Sequence, residues 1–259
     1  MDTTQKNRLL IIVLVLLGVV LLSLLEPASA QGLPLITATE QDARTTYTVP
    51  VQTLLALTGL SFLPAALMLM TSFTRILIVF ALLRQALGLQ GVPPNTVLVG
   101  LALFLTFFIM TPVLDQVYQQ AYLPLSKGEI GFEAAVSAGV EPFRAFMLAN
   151  TRQDELSLFA NLFGQPIASR EETPLQVLVP AFAMSEIKTG FLIGFLIYLP
   201  FLAIDFAVAS VLTSLGMIMV SPMMFSLPLK LVIFVLADGW TLLGTSLVAG
   251  FPPIPAGGG

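Results

Sequence analysis

Residues 198–225 read YLPFLAIDFAVASVLTSLGMIMVSPMMF, an apolar stretch with one charged residue, Asp205, that ends at a proline among four methionines. Sixteen uncharged residues precede Asp205, and twenty-four follow it before Lys230. These runs are close to the roughly 20 residues that a helix needs to cross a bilayer. The stretch therefore predicts two hydrophobic helical segments, 189–220 and 223–249, joined by a tight methionine-rich link.

The composition is that of an integral membrane protein. Of the 259 residues, 56% are hydrophobic and only 10% are charged, which is more apolar side chain than a soluble core of this size can enclose. Because cysteine and histidine are both absent, we expect no disulfide, no metal, no cofactor and no enzyme activity. The net charge is -4 and no basic patch is present, which excludes nucleic acid as a partner.

The first 30 residues have the pattern of a secretory signal peptide. Lys6 and Arg8 precede an apolar run, and the ASA at 28–30 offers small residues to a signal peptidase. We predict cleavage before Gln31, which leaves a periplasmic N-terminal segment at 31–50. An uncleaved signal anchor is the alternative, since the apolar run is about as long as the shortest membrane spans.

A first hydrophobic helical hairpin is predicted at 51–114. As a single helix, its first segment at 51–88 would be roughly 57 Å long, which exceeds a hydrocarbon core of about 30 Å. Pro64 is the expected kink in this segment. A turn rich in glycine and proline follows, and the second segment, 96–114, is uncharged up to Asp115.

A polar insert is predicted at 115–186, between the two hydrophobic hairpins. Within it, 141–163 has helical spacing, with Pro142 placed as a first-turn proline and Gly164 as the stop. The insert is therefore expected to be a small helical domain on the periplasmic side.

The fold class that follows is all-α, with four hydrophobic helical segments after a cleaved signal peptide. The second hairpin covers 187–250 and contains the methionine-rich loop, and a flexible tail occupies 251–259. With the mature N-terminus outside, Arg84 and Lys230 lie near the inner ends of the segments and the acidic insert lies outside, in agreement with the positive-inside rule. We therefore expect a multi-pass protein of a bacterial inner membrane.

Asp205 needs a partner, because a lone carboxylate at the centre of a bilayer costs on the order of 3 kcal/mol or more. Lys230 is the nearest candidate in the sequence. A turn centred at 220–221 leaves the two residues roughly 8 Å out of register, so pairing between neighbouring subunits competes with pairing within one hairpin. The pair is either a structural ion pair or part of gating or ion linkage, and the sequence leaves both open.

Other charged residues of the apolar stretches receive mainly structural interpretations. Arg75 is flanked by hydroxyl side chains, and its long stem can snorkel towards water. Glu186 and Lys188 are two positions apart and do not face each other on a helix, so they are interpreted as a solvated helix start. Asp238 precedes a glycine in the last segment and faces either an aqueous interior or an interface.

The methionines of the link have two interpretations. In a ring of identical subunits, Met217 and Met219 would meet at a common axis and close a pore with flexible thioethers. Alternatively, the methionines fill gaps under the hairpin turn, which is placed at Pro222, Met223 and Met224. Composition alone does not separate a gate from a gap filler.

Four segments carry a family resemblance. PAFAMSEIKTGFLIGF at 180–195, YLPFLAIDFAVASVLTSLGMIMVSP at 198–222 and SLPLKLVIFVLADGW at 226–240 resemble the FliP family of flagellar export-gate proteins. The stretch ALTGLSFLPAALMLMTSFTRILIVFALLRQALG at 56–88 is similar to the same family. Homologues in injectisomes share the pattern, and the cleavable leader favours the flagellar branch.

The resemblance implies an all-helical subunit of an export gate in the flagellar basal body. About five copies would assemble with FliQ and FliR, with FlhA and FlhB as further partners, and unfolded flagellar proteins would pass through the centre. The methionine-rich gasket of the family maps onto Met217, Ile218 and Met219. Leu192 departs from the family pattern, which usually has a polar or charged residue there.

Two functions of different classes follow. The first is a non-enzymatic pore component for unfolded polypeptides. The alternative is a small-solute or ion transporter in which Asp205 and Lys230 bind the substrate or a proton near the membrane midplane. The sequence shows no inverted repeat of the kind that many transporters have, so the pore is the preferred function.

Overall fold

The structure is a computed structural model of the full chain. It describes residues 37–41, 44–48, 58, 61, 64–65, 68–164, 169–217 and 219–252. The predicted signal peptide, Ile218 and all of the expected tail except its first two residues lie outside the described residues. The chain divides into two units, Met1–Leu63 and Pro64–Gly259.

The first unit contains a short antiparallel β-hairpin. Its strands are β1 (Thr37–Gln41) and β2 (Arg44–Thr48), and Thr37 pairs with Thr48 at the open end. Both strands are rich in threonine, a β-branched residue that favours extended backbone. The expectation of an all-α chain did not include this hairpin.

The described residues of the second unit form helices joined by turns, as predicted, with no strand among them. Its helices are α1 (Phe73–Ala86), α2 (Asn95–Val117), a π-helix (Tyr118–Tyr122), α3 (Leu123–Ser126), α4 (Phe132–Asn150), α5 (Gln153–Phe163), α6 (Leu175–Ser214), α7 (Met223–Leu236) and α8 (Gly239–Ala249).

The first hydrophobic segment is interrupted at 70–72, and Pro64, the expected kink, has helical backbone. Hydroxyl groups stabilise the interruption: Thr71 Oγ1 accepts a hydrogen bond from the Phe73 amide, and Thr74 Oγ1 donates one to the Met68 carbonyl. These side chains satisfy backbone groups that the broken helix leaves without partners. The interruption at 70–72 was not predicted, and most residues just before and after Pro64 lie outside the described residues, so the kink at Pro64 stays a prediction.

The helices in the region of the predicted polar insert differ from the expected ones. The helical run from α2 passes through the π-helix into α3 and ends at Ser126, beyond the expected boundary at 114. Pro142 lies inside α4, so its assignment as a first-turn proline was wrong. Gly164, by contrast, ends α5 in a left-handed conformation, as predicted.

The break between α4 and α5 is fixed against the start of α6. Arg170 donates hydrogen bonds to the carbonyl oxygens of Leu148 and Thr151, at 2.5 and 2.6 Å. The Arg152 amide donates to Ser185 Oγ at 3.0 Å. These contacts fasten the break to α6 and to the segment that precedes it, and α6 is the longest of the described helices.

α6 is a helix of 40 residues, and it begins at Leu175 rather than at the expected 189. It packs closely against α1, because small residues of α6 face the aliphatic side chains of α1. A Cβ atom added at Gly194 would lie 2.8 Å from Leu82 Cβ, and one added at Gly190 would lie 3.2 Å from Ile78 Cβ. The buried core is formed mainly by these two helices and α2, with a contribution from α4, and its fully buried members include Ile76, Val79, Phe146, Met147, Leu178 and Phe182.

Two helical runs among the described residues are long and apolar enough to cross a membrane, Asn95–Ser126 and Leu175–Ser214. α7 and α8 together are also long and apolar enough, and they are a third candidate if they count as one span. This span would be broken, because the two helices meet at an angle of 63°. Asp238 adopts a left-handed conformation at this break, and a Cβ at Gly239 would lie 2.2 Å from the Phe234 ring. The last segment is therefore bent and not the single stretch that the sequence suggested.

Candidate functional site

The methionine link connects α6 to α7. α6 ends at Ser214, and Gly216 follows with φ of 78°. The Gly216 amide donates a hydrogen bond to the Thr213 carbonyl, and the Met217 amide donates one to the Leu212 carbonyl at 2.9 Å. This pattern is a Schellman motif, whose left-handed position favours glycine because glycine has no side chain. The glycine therefore fixes the direction in which the methionines leave α6.

The Met219 side chain of this link faces away from its own chain, and the Met217 side chain is partly exposed. Met219 is 99% exposed and Met217 is 40% exposed. Ile218, the middle position of the predicted gasket, lies outside the described residues. A methionine that fills a gap has to be buried, so Met219 fills none within this chain. The thioethers are available to another molecule or to a second copy of the chain.

The residues predicted to form the turn lie at the start of the next helix instead. Pro222 caps the N-terminus of α7, and Met223 and Met224 are its first two residues. Proline is favourable at a helix N-terminus because its missing amide hydrogen is not needed there. Met223 is half exposed, and its sulfur lies 4.0 Å from Gln90 Nε2, in the turn that follows α1.

Asp205 and Lys230 form an ion pair within one chain. Lys230 Nζ lies 2.6 Å from Asp205 Oδ2 and also donates a hydrogen bond to the Ala86 carbonyl at 3.0 Å. The lysine is buried, and the aspartate is partly exposed. Counted from the true helix ends at Ser214 and Met223, the two residues are only about 3 Å out of register. The sequence left open whether Asp205 and Lys230 pair within one hairpin or between subunits, and in the structure they pair within one hairpin.

Arg75 and Glu186 form a second ion pair, deep in the α1–α6 contact. Arg75 Nη2 donates a hydrogen bond to Glu186 Oε1, and the Glu186 side chain is fully buried. Arg75 Nη1 donates to the Gly250 carbonyl at 3.2 Å, and the guanidinium carbon lies 3.9 Å from the centroid of the Phe251 ring. The arginine is buried and does not snorkel. The interpretation of Glu186 as part of a solvated helix start was wrong, because α6 begins well before it.

Lys188 is also paired, with an acidic residue of the insert. Its Nζ donates a hydrogen bond to Oε1 of Glu155, a buried carboxylate at the start of α5. This hydrogen bond, more than any other influence, holds the pKa of Glu155 below its ordinary value. The pair fastens the insert to α6, while the Lys188 side chain itself remains 54% exposed, in agreement with its solvated interpretation.

Two further residues singled out in the sequence have simpler surroundings. Asp238 caps α8 and accepts a hydrogen bond from Thr241 Oγ1 at 3.0 Å. Leu192 is about half exposed on α6. Gln90 and the carbonyl of Ala86 were not predicted, because their role arises from contacts between distant parts of the chain. The close approach of α6 to α1 at Gly190 and Gly194 did have a sequence signal. The two glycines form a GxxxG pattern, which indicates close helix packing in membrane proteins.

Comparison with known proteins identifies the family. The pattern of the FliP family matches residues 56–247. "Flagellar biosynthetic protein FliP" of Pectobacterium carotovorum subsp. carotovorum is 57% identical over 206 residues, which are 79% of this chain and 80% of that protein. The protein of the same name in Bacillus subtilis (strain 168) is 50% identical over 203 residues, 78% of this chain and 91% of that protein.

A third relative of the same name, from Buchnera aphidicola subsp. Baizongia pistaciae (strain Bp), is 51% identical over 222 residues. The match covers 85% of this chain and 62% of that protein. These matches cover both hydrophobic hairpins and confirm the resemblance on which the expectations rested. The chain belongs to the FliP family.

Proposed function

We propose that the chain is a core subunit of the flagellar type III protein export gate. About five copies assemble with FliQ and FliR around a closed pore for unfolded flagellar proteins, with FlhA and FlhB as further partners. The relatives named as flagellar biosynthetic proteins support the flagellar role. The single observation that carries the pore is the methionine turn, whose Met219 side chain is 99% exposed at the tip of the hairpin.

The chemistry of the turn suits a seal that has to open for varied cargo. Methionine has an unbranched, polarizable side chain that adapts to irregular neighbours. A ring formed by Met217 and Met219 from several copies closes a passage with apolar groups, and a hydrophobic constriction excludes water and ions. The same methionine side chains can move apart without breaking a hydrogen bond or an ion pair. One set of residues therefore both closes the pore and lets cargo pass.

The apolar surface of α6 supports assembly as well as membrane insertion. Exposed large apolar side chains extend from Met184 to Leu215, which spans about 46 Å along the helix axis. A bilayer covers about 30 Å, and helix tilts rarely exceed about 40°. Lipid alone therefore leaves part of this surface in water, and neighbouring subunits are needed to cover it.

The proposed location is the bacterial inner membrane, as a multi-pass protein of the flagellar basal body. The mature chain follows a cleaved signal peptide and carries four hydrophobic segments, with the polar insert on the periplasmic side. The apolar runs Asn95–Ser126 and Leu175–Ser214 and the bent pair α7–α8 supply the described part of this arrangement.

The environment of Lys230 favours the pore over the transporter. A transport site binds its substrate or ion with groups that are free to exchange partners. Lys230 is buried and already bonded to Asp205 and to the Ala86 carbonyl, so its donors hold helices together. An ion pair with such contacts is a structural element of the hairpin.

Alanine substitution at the turn tests the proposal. Met217→Ala combined with Met219→Ala removes the thioethers from the seal, so we expect higher ion conductance of the purified assembly in planar bilayers, with unchanged copy number. Met184→Ala is the matched control, because it removes an exposed thioether from α6 far from the turn. Unchanged conductance in the double variant would refute a methionine seal.

A further inference from the structure

α7 contacts the end of α1 and the following turn at two points. Near its N-terminus, the Met223 sulfur lies 4.0 Å from Gln90 Nε2. About two helical turns further along, Lys230 Nζ donates a hydrogen bond of 3.0 Å to the Ala86 carbonyl. Residues with this spacing lie on the same helix face, so one face of α7 rests on the α1–α2 connection. Ser226, which lies between them on that face, is fully buried.

The connection on which α7 rests has a fixed shape. Arg84 Nη1 donates hydrogen bonds to the Pro93 carbonyl at 3.1 Å and to Asn95 Oδ1 at 2.7 Å, which ties the end of α1 to the start of α2. Gly88 and Gly91 both have φ of 75°, a backbone conformation that residues with a side chain rarely adopt. The turn is therefore shaped independently of α7 and can serve as a rigid surface.

The two contacts differ in strength. The Lys230 contact is buried, carries a full charge and is shared with Asp205. It also places a cation at the C-terminal end of α1, where the helix dipole favours positive charge. The Gln90–Met223 contact is exposed and joins an amide to a weak sulfur acceptor. The Gln90 contact is therefore the weaker of the two, and the Lys230 contact is the natural pivot for a movement of α7.

We infer that the α1–α2 turn is a support that holds the methionine turn in its closed position, with Gln90 and Lys230 as positioning residues. The inference rests on the proposed function, since it concerns the movement of the proposed seal. When the N-terminal end of α7 lifts off Gln90, the methionines that precede it move with it. Within each subunit, the α1–α2 turn thus stabilises the closed state.

A reversible cross-link tests this support. The chain has no cysteine, so Gln90→Cys combined with Met223→Cys gives two unique thiols. Cysteine is shorter than both native side chains, so a short bis-methanethiosulfonate reagent is used to span the gap between the two sulfur atoms. We expect bridging to abolish flagellin secretion and reduction of the bridge to restore it. The control pair, Leu229→Cys with Ile233→Cys, places the same bridge on an exposed part of α7 away from Gln90 and is expected to leave secretion unchanged.

Two results would overturn the inference: secretion that continues through a bridged pair, or thiols that do not bridge in the closed assembly. A second variant, Gln90→Ala, should raise the resting ion conductance, and an unchanged value also counts against the support. The proposed function fails separately, because it is the double alanine variant at Met217 and Met219 that tests the seal itself. A leaking double variant together with unaffected Gln90 variants would keep the pore and reject only the support.

Discussion

At the scale of single residues, the buried Arg75–Glu186 pair joins three parts of the chain. Arg75 belongs to α1, Glu186 to α6, and the Gly250 carbonyl to the end of α8. The Phe251 ring covers the guanidinium, an arrangement favourable to a cation. A buried charge is tolerated only when it is paired, so each partner depends on the other.

Removal of one partner should therefore be far more harmful than removal of both. Arg75→Ala leaves the Glu186 carboxylate buried without its cation, and we expect a loss of about 3–5 kcal/mol in the free energy of unfolding. Arg75→Met combined with Glu186→Met fills the same space with apolar groups and should recover most of this loss. Thermal unfolding of the purified protein in detergent measures both. A double variant as unstable as Arg75→Ala would contradict the account.

The sequence was informative about which residues matter and less informative about their partners. The isolated position of Asp205 in an apolar run indicated a paired carboxylate, and Lys230 was named as its nearest candidate. Glu186 was misinterpreted because its partner lies 111 positions away and no local pattern reports such a contact. Gln90 was missed for the same reason, since its neighbour Met223 is 133 positions distant.

At the scale of the elements, the contact between α1 and α6 depends on two glycines. Gly190 and Gly194 allow the helices to approach so closely that any side chain at these positions meets the opposite helix. Such close packing is a main source of helix association in membranes, where lipid offers no hydrophobic driving force. The contact also aligns Arg75 with Glu186, so backbone proximity and charge pairing support each other.

Alanine at the closer glycine should separate the helices. In Gly194→Ala the new Cβ would lie 2.2 Å from Leu82 Cδ1 and 2.8 Å from Leu82 Cβ, and the second atom cannot move without α1. We expect a destabilisation of about 1–3 kcal/mol. Gly100→Ala is the control, because nothing lies within 4 Å and alanine favours a helix interior by about 0.5–1 kcal/mol. Equal stability of the two variants, measured by thermal unfolding, would count against close packing.

The type of element was more predictable than its boundaries. Apolar runs and the stop at Gly164 identified helices correctly. The boundaries moved because they depend on local hydrogen bonds: the first segment is interrupted at 70–72, where hydroxyl groups replace backbone partners. Proline failed as a boundary marker at Pro142, which α4 accommodates in its interior. The GxxxG pattern at 190–194, which predicts close helix packing, is visible in the sequence and was overlooked.

At the scale of the whole molecule, the chain leaves an unusual amount of apolar surface uncovered. In the most apolar window of α6, only 11% of the residues are buried inside the chain. A soluble monomer does not tolerate such a surface, so lipid and neighbouring subunits have to cover it. The composition, with 56% hydrophobic residues, predicted this property directly. Some of these apolar residues contact lipid and others contact neighbouring subunits. Which residues do which depends on the other molecules, so the sequence of one chain does not predict it.

The central claim is that the methionine turns of several copies converge on one passage. A density map of the assembly, purified in mild detergent, tests this claim most directly through the distance of Met219 from the particle axis. The account predicts an assembly of about five copies in which the Met217 and Met219 side chains surround a common axis and close it. A monomeric particle, or an assembly in which these side chains face lipid far from any shared axis, would contradict it.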